Sequence, residues 1–116
     1  MTIRRLKTYA GSQGYVYQYY FVGQRPCPTF DATEYIFDVT SDRKTSYAVS
    51  VVLPRQAVTD WQQTRGRALT DSEQYAAVKL RLFRAFDELE NLFHDGRQLQ
   101  IGSPFLEESL ASLGIE

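Results

Sequence analysis

Cysteine and histidine each occur once in this sequence, tryptophan and methionine once each, and proline four times. A lone Cys27 excludes an internal disulfide and any zinc site built on paired thiolates, and it points to a reducing compartment. No apolar run approaches the ~20 residues that cross a bilayer, and Met1–Leu6 carries basic residues without the apolar stretch of a secretory leader. The expectation is therefore a cytoplasmic chain with no membrane partner. Internal repeats and low-complexity tracts are also missing, which excludes solenoids and tandem arrays.

What is present is an ordinary globular composition over 116 residues, 43% apolar and 23% charged, enough for one domain with one core. The net charge of −1 hides an asymmetry: residues 1–85 hold 12 Lys or Arg against 7 Asp or Glu, while residues 86–116 hold 1 against 7. An acidic tail lying against a basic body accounts for this without a nucleic-acid partner. Aromatics reach 14%, and five of them crowd into the stretch from Tyr15 to Phe21.

The segment Ile3–Tyr9 mixes basic and apolar residues and meets a glycine-bracketed turn, Gly11-Ser12-Gln13-Gly14. Tyr15–Val22 is almost wholly aromatic or β-branched and reads as a strand. Arg25-Pro26-Cys27-Pro28-Thr29 reads as a loop, because its prolines lack ladder donors. Two extended runs, Glu34–Thr40 and Ser46–Leu53, flank the polar turn Ser41–Thr45 and make a hairpin.

Pro54 opens a short helix over Arg55–Thr64 that Gly66 stops. Thr70-Asp71-Ser72-Glu73 has the form of a capping box. From there Tyr75, Val78, Leu82, Phe86, Leu89 and Phe93 recur at helical spacing, and Asp95-Gly96 supplies a stop. Ser103-Pro104 opens a last short helix. The expected fold is a single α+β domain over 1–116. A four-stranded antiparallel sheet (1–53) precedes helices on one face (54–95) and an acidic C-terminal segment with a short helix (96–116).

Strand alternation puts Tyr15, Tyr17, Tyr19 and Phe21 on one face and Val16, Gln18, Tyr20 and Val22 on the other, so neither face is plainly polar. Helices can cover only one face. The surplus of aromatic strand surface points to a partner-binding surface, with Tyr15, Tyr17, Tyr19, Arg25, Arg43 and Lys44 as its candidate residues.

Catalytic chemistry finds little support. His94 beside Asp95 at a helix end suits a surface or capping role, and no motif couples it to Cys27. Asp42-x-Lys44, preceded by Asp31 or Asp38, has the spacing of some divalent-metal nucleases, but it falls in a turn where Asp serves local hydrogen bonds. Gly11–Gly14 lacks the lysine of a phosphate loop. Glu34 and Asp38 share a strand face, and an enzyme would need them gathered in a pocket with His94 or a tyrosine. No catalytic residue, cofactor or metal is expected.

The sequence thus points to a small non-enzymatic binding or assembly module that self-associates, or takes a protein partner, through a tyrosine-bearing sheet surface and the Arg25–Asp31 loop. The alternative is single-stranded nucleic-acid binding, with Arg4, Arg5, Lys7, Arg43 and Lys44 as a rim around stacked tyrosines.

Overall fold

The computed structural model describes residues 5–89 and 91–116. Its elements run β1 (Lys7–Ala10), β2 (Val16–Pro26), β3 (Ala32–Thr40), β4 (Tyr47–Pro54), α1 (Arg55–Arg65), α2 (Asp71–Glu88), α3 (Leu92–Asp95), β5 (Gln98–Gln100) and α4 (Ser103–Ser112). The strands form one sheet in the order β1-β2-β3-β4-β5. The first four pair antiparallel as three successive hairpins, and β5 returns from the helices to lie parallel to β4.

The α+β class stands, but the sheet is five-stranded and mixed rather than four-stranded and antiparallel. The fifth strand, Gln98-Leu99-Gln100, is too short to show alternation in the sequence. It is fixed by Leu99 entering the core and by Ile101 donating its amide to Val52 at 3.0 Å. The segment 96–116 therefore contributes a strand to the sheet as well as a helix. The parallel pairing follows from the helical crossover that joins β4 to β5.

Residues of β2, β3 and β4 facing the helices build the core. Tyr17, Tyr19, Tyr35, Phe37, Val39, Val49 and Val51 join Ala57 and Trp61 of α1, Val78, Leu82 and Phe86 of α2, and Leu106 and Leu110 of α4 in one cluster. Phe86 stacks on Tyr17 with ring centroids 4.3 Å apart, and Tyr75 packs edge-on to Phe21 at 5.1 Å. Burying rings of this size is the main stabilising contribution of the β2–α2 contact.

Helix boundaries follow local chemistry. The Thr70 hydroxyl accepts from the Glu73 amide and the Glu73 carboxylate accepts from the Thr70 amide, a complete capping box. Arg67 grips the same Glu73 carboxylate with both guanidinium nitrogens at 3.0 Å, holding it at about 2, well below the usual carboxylate range. The apolar stripe that reads as one helix up to Phe93 breaks at Leu89, where the backbone turns extended, and Asn91 caps the separate turn α3.

The glycine turn after β1 grips the far end of α2. Asp87 accepts from the Tyr9 hydroxyl at 2.8 Å and from the Ser12 amide at 2.9 Å. A Cβ on Gly11 would lie 2.8 Å from the Phe86 carbonyl oxygen, so only glycine lets these backbones approach this closely. On the other side of the bundle Arg65 pairs with Glu107 at 2.7 Å, tying α1 to the acidic C-terminal segment.

Candidate interaction surface

Register and hydrogen bonds divide the sheet into two unlike faces. Lys7, Tyr9, Tyr17, Tyr19, Phe21, Tyr35, Phe37, Val39, Tyr47 and Val49 lie on the helix side. The opposite face carries Val16, Gln18 and Tyr20 of β2, Glu34, Ile36, Asp38 and Thr40 of β3, Ala48, Ser50 and Val52 of β4, and Gln98 and Gln100 of β5. The core cluster is built from the other face, and on this second face Glu34 and Val52 are themselves buried, 6% and 0% exposed.

A β-bulge reshapes it. Phe21 pairs with Phe37 but Gly23 pairs with Ile36, so Val22 is an extra residue in β2. Without it Arg25 would point toward the helices. The shift instead places Arg25 opposite Glu34 on the open face, where its Nε donates to Oε1 at 2.6 Å. Glu34 is buried, and the Arg25 and Ser50 hydrogen bonds hold its carboxyl below its ordinary range. Four residues along β3, roughly 13 Å away, Asp38 accepts a 2.5 Å hydrogen bond from the Tyr20 hydroxyl. Ile36 sits half-buried between the two, beside the side-chain-free Gly23.

The sequence-derived candidates separate. Tyr17 and Tyr19 are core residues, 2% and 4% exposed, so they reach no partner in the folded chain. The alternation that placed them together is right; α2 covers the face they occupy. Tyr15, just before β2, is 49% exposed. Arg43 and Lys44 lie in the β3–β4 turn, with Arg43 at φ 63°. Arg25 is not in a loop: it and Pro26 belong to β2, at the end of the sheet remote from that turn. The candidates therefore do not converge. Tyr20 and Ile36, which the sequence left undistinguished from their neighbours, mark the open face.

Other chemistry remains scattered. Asp42 accepts from the Lys44 and Thr45 amides at 2.8 Å each, a turn-stabilising role that also lowers its pKa. His94 is exposed on α3 and bonds Asp95 at 2.9 Å, while α3 packs through Leu92 on the helix side, across the sheet from Glu34 and Asp38. Those three side chains share no pocket.

Cys27 lines a recess of about 320 Å³ with Arg25, Phe30, Asp31 and Arg55. Its thiol is lowered by its hydrogen bonds with Thr29, and Arg55 is engaged by Asp31 at 2.9 Å. Among the described residues no group of three or more His, Cys, Asp or Glu could hold a metal, and no helix is long and apolar enough to cross a membrane. Comparison of the chain with protein families, curated proteins and solved structures finds no match.

Proposed function

We propose that this chain is a non-enzymatic binding and assembly module whose contact surface is the open face of its sheet. The observation that supports it most is the make-up of that face. Val16 is 48% exposed and the bulge residue Val22 38%, with half-buried Tyr20 and Ile36 between them. The charged side chains on the face, Arg25, Glu34 and Asp38, are bonded to neighbours on the same face and not left to solvent alone. A face meant only for water carries lysines and glutamates at such positions, and this one carries aliphatics, glutamines and a tyrosine. Surfaces that are wet in the free protein and dry in the complex have this mixture.

The nucleic-acid alternative loses its stacking platform, because Tyr17 and Tyr19 lie beneath α2 and Lys79 already packs over the Tyr19 ring. Arg43 and Lys44 remain as an isolated basic turn, and Arg4 lies outside the described residues.

One lysine on each side of the molecule tests the reading. In native extract the wild-type chain is expected to elute well above its own 13.4 kDa. Ile36→Lys, on the open face, should return it to its own mass, and Leu113→Lys, at an exposed position near the end of α4, should not. Wild-type elution at the mass of one chain, or equal loss with both variants, overturns the proposal.

A further inference from the structure

We propose that the recess where the β2–β3 turn meets the start of α1 binds a small organic acid, holding one carboxylate between the Arg25 and Arg55 guanidiniums and the apolar part of the molecule against Pro26 and Phe30. The recess is about 320 Å³, within the range of small-ligand sites. Backbone bonds set its walls. The Cys27 amide donates to the Ala32 carbonyl at 2.8 Å, closing the turn on itself, and the Arg55 amide donates to the Asp31 carbonyl at 3.0 Å, tying that turn to α1. A site held in this way needs little ordering when a ligand enters. It is independent of what covers the open sheet face, and stands whether or not that reading does.

Charge selects the ligand. Arg25 bonds Glu34 at 2.6 Å and Arg55 bonds Asp31 at 2.9 Å, in both cases through Nε. Among the described residues neither guanidinium has a second carboxylate partner. Nη1 and Nη2 of each are left as a forked pair of donors that matches the two oxygens of a carboxylate. The two side chains are 60% and 71% exposed, so these nitrogens meet an entering molecule without disturbing the core.

The charged residues on the wall are Arg25 and Arg55 against Asp31, a balance of +1. One negative charge is neutralised there, whereas a second would face Asp31 with nothing left to offset it. That balance favours a monocarboxylate over a phosphate dianion. Pro26 and Phe30 add an apolar wall, and Phe30 is 43% exposed. A ring or short aliphatic chain laid on Phe30 would take this surface out of water.

Titration of the full chain with benzoate, and with benzamide as its uncharged counterpart, tests the site through backbone amide and arginine Nε resonances. Benzoate should shift the Cys27, Asp31 and Arg55 signals together to saturation, with a dissociation constant no weaker than about 10 mM, and benzamide should bind at least about tenfold more weakly. Arg25→Gln leaves the buried Glu34 unpaired, so the deciding variant is Arg55→Gln, at an exposed pair. It should keep the fold and weaken benzoate roughly three- to tenfold. Cys27, the one thiol in the chain, gives a second reading, because it lines the same recess. Its alkylation by neutral iodoacetamide should slow as benzoate fills the recess, and should slow less in Arg55→Gln at the same benzoate concentration.

Shifts that do not saturate, equal binding of benzoate and benzamide, or benzoate binding unchanged by Arg55→Gln overturns the proposal. Inorganic phosphate binding more tightly than benzoate overturns it as well, since the recess would then select a dianion.

Discussion

Tyr47 offers a quantitative test of how tightly the helix side is closed. Its ring is 9% exposed, held edge-on by Phe93 at 5.2 Å with the Arg97 guanidinium 5.8 Å from its centre. Loss of solvent is the main reason its phenol is pushed up to about 12 from 10; the nearby Arg97 charge opposes the rise without cancelling it. A raised folded-state pKa means that the unfolded chain releases this proton first. The resulting stability is fully present below about pH 10 and is lost as pH climbs toward 12.

Two units at about 1.36 kcal/mol each make that contribution roughly 2–3 kcal/mol. Burial raises Tyr9, Tyr17, Tyr19, Tyr35 and Tyr75 in the same direction, so the losses accumulate over the same alkaline window. Tyrosinate absorbance and far-ultraviolet circular dichroism, followed together as pH rises, should show most tyrosines ionising in step with unfolding. Phe93→Ala, which removes a half-exposed ring and little core, should move the Tyr47 midpoint back toward 10. If Tyr9, Tyr17, Tyr19, Tyr35, Tyr47 and Tyr75 all titrate around pH 10 with the secondary structure intact, the reasoning about a sealed aromatic layer is wrong.

Other outcomes follow from the same contacts. Phe86→Ala, at a fully buried ring stacked on Tyr17, should cost about 3–5 kcal/mol and lower the melting temperature by roughly 10–20 °C. Gly11→Ala forces a methyl against the Phe86 carbonyl and should cost about 1–3 kcal/mol in denaturant unfolding, with the β1–β2 turn losing amide protection first. Thr70→Ala opens the capping box and should cost about 1 kcal/mol. A carbon-detected titration should place the Glu73 carboxyl midpoint at about 2, with the Arg67 contribution present above the ordinary carboxylate range and lost as pH falls toward that value; Arg67→Ala should raise the midpoint.

Local chemistry made much of the fold legible. The Thr70–Glu73 box, Pro54 before α1, Gly66 in the left-handed conformation after it and the Ser41–Thr45 turn carry their geometry in their own side chains. Three features depend on contacts that local pattern does not encode. The break at Leu89 interrupts a stripe that stays periodic through Phe93, because the chain must turn back to place β5 beside β4. Gln98–Gln100 is a strand through its pairing rather than its composition. The bulge at Val22 reverses the facing of Arg25, so simple alternation fails beyond Phe21.

The site was legible in outline only. Alternation sorted the tyrosines correctly into two faces, and the density of rings on one of them marked the core instead of the surface. Tyr17 and Tyr19 are aromatic because they meet Phe83 and Phe86 of α2. A partner surface and a core strand recruit the same residue types, and the side on which the helices settle decides between them.

Hydroxyl-radical footprinting inside intact cells, set against the purified chain at nanomolar dilution, bears most directly on the open-face claim. Val16, Tyr20 and Ile36 are expected to lose reactivity in cells while Tyr15 and Phe93 keep theirs. Equal reactivity of all five in both settings would contradict it.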